Sequence, residues 1–191
     1  MGHVCPWWFA YTFDNPIRTL YHNPEKIFAP YVKKGMSVAD IGCGLGYFSL
    51  GLANIVGETG KVIAADIQPQ MLSRMEKRAE RAGLSSIIHP HQCLENDIAI
   101  DEPLDFALAF WMVHESPAPS VLFKQLHTIL KPTGTLLFTE PIFHVIHTDF
   151  QQELALAREA GFHVSEKPKI CWSRTAALTK SNDVTQTSPD E

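Results

Sequence analysis

Glycines at 42, 44 and 46 in VADIGCGLGYF, with Asp40 two residues ahead of the first and Asp66 closing the apolar run KVIAAD, have the types and spacing to hold a nucleoside-bearing ligand. Glycine carries no Cβ, so a turn rich in it bends sharply and brings backbone amides against a ligand. An acid ending the next strand can accept hydrogen bonds from ribose hydroxyls. Read without a ligand, the same residues make a tight strand-to-helix turn, with Asp66 as a helix N-cap. The third glycine falls one residue early for the dinucleotide fingerprint, whose last glycine would stand where this chain has Tyr47. A carboxylate beside the loop also repels a pyrophosphate and attracts a cation, which argues against a nicotinamide dinucleotide.

A second group lies in FWMVHES and in EPIFHVIH. His114 has an imidazole whose ordinary pKa of about 6.5 suits a general base near neutral pH, or it caps the next helix or sits in a polar shell. Glu115, followed by Ser116 and Pro117, is either a second catalytic group or a helix-start residue. Trp111 and Met112 precede them, His144 and His147 follow the next strand, and Glu140 lies at that strand's end. In the aromatic run WWFAYTF, Trp8 and Tyr11 are candidates for one wall of a substrate pocket, or anchors of plain core packing.

For these residues to meet, they must sit at the same ends of neighbouring strands. From Met36 onward short apolar runs alternate with helical patterns: MSVADI then YFSLGLANIV; KVIAAD then PQMLSRMEKRAERAG; SSIIHPHQC; LDFALAFWMV then APSVLFKQLHTILK. TGTLLFTE follows a turn at Pro132–Gly134, DFQQELALAREAGF is a last helix, and a short strand near His163–Glu166 precedes a final strand in KICWSRTAALTK. Such alternation predicts a doubly wound α/β fold with a largely parallel sheet, whose ligands sit at the carboxyl ends of the strands. Residues 1–35, aromatic-rich and broken by proline, are expected to form a cap that shields the site, serving activity more than folding over the first thirty residues. Residues 36–180 are the main domain, and 181–191 are an apolar-poor tail expected to be disordered.

DIGCGLG resembles the first motif of the class I S-adenosylmethionine-dependent methyltransferases, and AADIQPQML resembles the second. The resemblance runs from about Val38 to Lys180. It implies a Rossmann-like, seven-stranded, mostly parallel sheet with an antiparallel last strand. It further implies that Gly42, Gly44 and Gly46 border the methionine and ribose portions of S-adenosyl-L-methionine, that Asp40 holds the loop near the sulfonium, and that Asp66, with Ile67 beside it, takes the ribose hydroxyls. Gln92, Cys93 and Leu94 are the candidates for the adenine, and Phe110 ends the strand beside the cofactor. By the topology of this fold Trp111, Met112, His114 and Glu115, at the end of the fourth strand, then face the transferable methyl, and His144 and His147 are candidates to line the same mouth.

A balance of 16 Lys and Arg against 21 Asp and Glu disfavours a nonspecific grip on nucleic acid, so a small-molecule acceptor is expected ahead of a protein or RNA. A non-catalytic cofactor-binding protein of the same fold is the remaining alternative. Cys5, Cys43, Cys93 and Cys171 form no CxxC pair, and His89, His91 and Cys93 match no closed zinc pattern, so no metal is expected. MVHES resembles a stretch of the arsenite methyltransferases, but the scattered cysteines read as packed free thiols. No leader or bilayer-spanning run is evident, so a cytoplasmic monomer or homodimer without a membrane anchor is expected.

Overall fold

Residues 17–181 are described by the computed structural model. Their apolar runs become strands β1 (Ser37–Ile41), β2 (Lys61–Asp66), β3 (Ile88–Gln92), β4 (Leu104–Phe110), β5 (Leu130–Pro141), β6 (Phe162–Glu166) and β7 (Ser173–Lys180). The helices are α1 (Arg18–Tyr21), α2 (Pro24–Phe28), α3 (Tyr47–Val56), α4 (Pro69–Arg81), α5 (Pro119–Ile129) and α6 (His147–Glu159). Prolines open α2, α4 and α5, where a missing N–H costs nothing because the first turn has no intrahelical acceptor for it.

The strands form one sheet in the order β3-β2-β1-β4-β5-β7-β6. β1 through β5 pair in parallel, and β7 runs antiparallel to both β5 and β6. This is the doubly wound, seven-stranded arrangement with an antiparallel last strand. Side chains alternate between two cores, as a pleated strand buried on both faces requires. Val38, Val62, Ala64 and Leu108 face α2, α3 and α4, where Phe28, Phe48, Leu52 and Met75 pack. Ala39, Ile63, Ala109 and Phe138 face α5 and α6, where Phe123, Leu126, Phe150 and Leu154 pack.

Three expectations change. The Pro132–Gly134 turn does not precede the fifth strand but lies within it: Leu104 pairs with Leu130 and Phe106 with Thr135, so the intervening residues bulge out of the ladder. The bulge lets a proline, which donates no N–H, remain inside a strand. The last strand begins at Ser173 and not at Lys169, because Trp172 takes a positive φ of 56° that no extended strand accommodates. Removing thirty N-terminal residues would also remove Phe28, which is wholly buried in the α3 core, so this stretch contributes to folding as well as to any shielding. Trp8 and Tyr11 lie outside the described residues, as do 182–191. None of the described helices is long and apolar enough to cross a membrane.

Phe138 is fully buried, stacked on Phe150 with ring centroids 5.1 Å apart and edge-on to Phe123 at 5.4 Å. Replacing it with alanine leaves a cavity between the sheet and both helices of that face. Phe138→Ala is expected to cost about 3–5 kcal/mol in denaturant unfolding.

Candidate active site

Beyond the carboxyl ends of β1 and β4 the chain leaves in opposite senses, toward α3 on one face and α5 on the other, and a crevice opens between them. It is a cavity of about 1050 Å³. Pockets for drug-sized ligands run to about 1,000 Å³, so this one has room for a nucleoside and a second small molecule.

One half is the glycine loop. Gly42, Gly44 and Gly46 have φ of 70°, 53° and 80°, all in the left-handed region that a side chain disfavours. A Cβ on Gly46 would come 2.4 Å from Met75 Cγ, so this glycine also lets α4 pack against the loop. A Cβ on Gly44 would meet nothing within 4 Å, so the loop presents open space there. Asp66 accepts from the Gly44 amide through Oδ2 and from the Gln68 amide through Oδ1, each at 2.9 Å. It thus ties the loop to the start of α4, whose N-cap is Gln68 and not Asp66. Burial pushes the Asp66 carboxyl up, against the amides of Gln68, Gly44 and Ile67. Asp40, also buried, accepts from the Ser49 hydroxyl at 2.6 Å. Its burial raises the pKa to about 6 despite that hydrogen bond and the nearby Arg18 charge.

The other half is built on the ends of β4 and β5. Trp111 takes a φ of 60°, and its amide donates to the Thr139 carbonyl at 2.9 Å, so the chain reverses sharply as it leaves β4. A short 3-10 turn, Val113–Glu115, then carries His114 back over the end of β5. Glu140, with no side-chain exposure, accepts from the His114 amide at 3.1 Å and from its Nδ1 at 2.5 Å. A carboxylate only accepts, so Nδ1 carries the hydrogen and the Nε2 lone pair is left available. Glu115 Oε1 lies 3.9 Å from Nε2, and the His144 ring lies 4.9 Å from the His114 ring. Burial works to lower the His114 pKa, but the hydrogen bond and charge of Glu140, helped by Glu115 and Glu153, outweigh it and raise the pKa overall.

A methyltransferase domain model matches residues 32–186. This chain belongs to the methyltransferase domain family. Among curated relatives, the ubiquinone/menaquinone biosynthesis C-methyltransferase of Haemophilus ducreyi is 32% identical over 119 residues, covering 60% of this chain and 46% of that protein. The arsenite methyltransferase of Aquipseudomonas alcaligenes is 26% identical over 121 residues, covering 60% of this chain and 35% of that one. The chain therefore spans less than half the length of either relative. A SAM-dependent methyltransferase structure from Aquifex aeolicus shares the fold with a TM-score of 0.80 at 24% identity, covering 92% of this chain and 98% of that one.

Within this methyltransferase domain, Asp40, Gly42, Gly44, Asp66, Ile67, Cys93, Leu94 and Phe110 come together on the cavity wall with Trp111, His114, Glu115 and His144. Gln92 does not: it is exposed at the end of β3, and the chain turns inward only at Cys93. Gly46 supports the loop from behind. Cys43 and Cys93 are buried on the loop side, and burial holds both thiols protonated, pushing Cys93 up to about 12, while Cys171 is exposed elsewhere. No group of three or more His, Cys, Asp or Glu suited to a metal occurs among the described residues. Sequence reasoning placed Glu140 at a strand end without giving it a partner. The signal was available, since Asp40 and Asp66 are likewise acids at the ends of buried strands. Arg18, on the cavity wall, stood in a segment with no pattern to single it out.

Glu153 on α6 is 9% exposed, and its Oε2 has no hydrogen-bond partner. Burial, then the Glu140 charge, lift its pKa from 4.5 to about 8, with His114 opposing. An acid with a raised folded pKa contributes stability that is full below its unfolded pKa and lost as pH rises through the folded one. Glu153→Gln, which stays neutral, is therefore expected to gain thermal stability over the parent as pH climbs from 4.5 to about 8, by a few °C (roughly 2–4 °C per kcal/mol). Melting curves at pH 5 and pH 8.5 check it; a difference that does not depend on pH would refute it.

Proposed function

We propose that this chain moves a methyl group from S-adenosylmethionine to a small-molecule acceptor whose attacking atom gives up a proton, and that His114 accepts that proton. The observation that carries this reading is the His114–Glu140 pair, which leaves a base-competent Nε2 on the wall of the cavity that also holds the glycine loop.

The residues present suit the cofactor. Gly44 leaves open space, Asp66 offers a carboxylate at the end of β2 for ribose hydroxyls, and Asp40 supplies a negative charge for a ligand bearing a sulfonium and an ammonium. Ile67 and Leu94, exposed at 37% and 65%, provide apolar edges for the adenine beside Cys93 and Phe110. When bound, the cofactor supplies a methyl carbon already activated by its sulfonium, so the protein's work is alignment, exclusion of water and handling of the acceptor's proton.

Trp111, Met112, Phe143 and His144 give the acceptor side a largely aromatic and apolar lining, which suits a small planar molecule. The names of the curated relatives also point to small acceptors. Glu140 fixes the imidazole's tautomer and offsets the charge that develops as Nε2 takes the proton. Glu115, near Nε2, adds to that support. General-base assistance of this kind is worth about 10²–10⁴ in rate.

Calorimetric titration with S-adenosylmethionine, S-adenosylhomocysteine and NAD is expected to show binding of the two adenosyl compounds only, and Asp66→Ala is expected to weaken both at least about tenfold. NAD binding, or no binding to any of the three, would overturn the cofactor. With an acceptor in hand, kcat/KM is expected to rise with pH through a pKa above the ordinary imidazole value of about 6.5. His114→Gln should lower kcat by about 10²–10⁴, and Glu140→Gln should move the pH profile to lower pH, because the neutral amide no longer stabilises the imidazolium against the cost of its burial. A profile unmoved by Glu140→Gln would remove His114 from the base role.

A further inference from the structure

Helix α6 lays an apolar stripe on the sheet, and one position of that stripe is a carboxyl. Phe150, Leu154 and Ala157 recur at the spacing of one helix face and are buried, with Phe150 stacked on Phe138 of β5. Glu153 lies on the same buried face, 9% exposed, where an apolar side chain would complete the stripe. Its Oε2 is buried with no hydrogen-bond partner. Such a group costs a core stability that an apolar residue would not, so packing alone does not select it. The reaction proposed above gives it no part.

Strand alternation sets what Glu153 faces. Phe138 and Glu140, two apart on β5, point to the same side of the sheet, the side that α6 covers. Glu140 accepts from the amide and the Nδ1 of His114, so Glu153 stands behind that pair. The influence runs both ways. Burial, then the Glu140 charge, raise the Glu153 pKa while His114 opposes them; burial lowers the His114 pKa, and Glu140, Glu115 and Glu153 raise it. Other groups meet the cluster from each neighbouring element. Asp149, one turn back on α6, adds its charge to Glu153. Glu115 Oε1 and the His144 ring approach His114 from the cavity side. Arg174, opposite Glu140 on β7, donates from Nε to the Val145 carbonyl, and α5 presents Phe123 and Leu126 to the same core.

We propose that Glu153 is a positioning residue for the base: its carboxyl, buried behind Glu140, sets how firmly His114 Nε2 holds a proton, neutral Glu153 leaving the ring free to take one and ionised Glu153 holding it as imidazolium. The proposal rests on the reading of His114 as the base. A base must take the acceptor's proton and then let it go, and a second full charge behind the imidazole would leave Nε2 protonated and unable to accept. Glu140 fixes the tautomer at all times, whereas Glu153 adds its charge only as pH rises. A proton on either His114 or Glu153 weakens the other's hold, so their protons come off in steps that belong to the pair.

The test follows the imidazole nitrogen resonances of His114 by NMR on the full chain from about pH 5 to about pH 10, with the signals assigned by their loss in His114→Gln. The parent is expected to titrate over a wider span of pH than a single group does. Glu153→Gln should give one sharp step with its midpoint lower by about half a pH unit or more, because no charge can then form behind Glu140. Glu153→Leu, which removes the same charge with an apolar side chain, should give the same midpoint. A His114 titration that neither variant moves would make Glu153 a structural group only and overturn the proposal, although Glu140→Gln would still lower the midpoint and the base reading would stand. A shift in just one of the two variants would also overturn it, since that follows side-chain shape and not charge. A midpoint that even Glu140→Gln leaves in place removes the base reading and this proposal with it.

Discussion

The parting of β1 and β4 is the constraint from which the site follows. Parallel neighbours must return through helices, and where one strand's helix crosses one face and the next strand's crosses the other, the carboxyl ends are left uncovered. The crevice is thus a product of connectivity, before any side chain is chosen. What the side chains add is a tightly packed rim. Met75 fills the space that Gly46 leaves, and Met112 abuts Gly42, so a loop with three positive-φ residues is held by packing on both sides.

Buried acids then set the electrostatics. Asp40, Asp66, Glu140 and Glu153 are all largely out of water, and an isolated buried carboxylate is costly unless hydrogen bonds or an opposite charge compensate it. Each is compensated differently. Asp66 has two backbone amides, Asp40 has the Ser49 hydroxyl, and Glu140 has His114 through both backbone and ring. Glu153, with an unpartnered oxygen, takes up a proton instead. The result is a cavity with buried acids on the loop side and the His114–Glu140 pair on the other, the arrangement on which the proposed reaction rests.

The two halves are joined by aromatic contacts at the N-terminal turn. His22, Phe48, Phe110 and Trp111 form a continuous set of ring contacts, with Trp111 Nε1 donating to the Ser173 hydroxyl at 2.9 Å. The left-handed backbone at Trp111, unusual for a bulky residue, is held by this packing and by the amide bond to Thr139. Strain of this kind persists at sites where the surroundings over-determine one conformation, and here it aims His114 at Glu140.

The sequence by itself determined the strand–helix alternation, the glycine turn with Asp40 and Asp66, and the carboxyl end of the sheet as the end where the cavity opens, because each depends on local signals: apolar period, glycine, and proline or acid at an element's end. It also placed His114 at the mouth, since the end of the fourth strand is fixed once the topology is. It did not pair His114 with Glu140 or bring Arg18 to the wall, because those residues are joined across the sheet by the turn at Trp111 and the packing of His22, neither of which has a periodic signature. For the same reason the sequence groups Gln92 with Cys93 and Leu94: alternation along a strand is legible, but the residue at which the chain leaves the sheet and turns inward is decided by what packs beyond it. Tertiary structure alone decided which acids are buried and what partners they meet, for both come from distant segments.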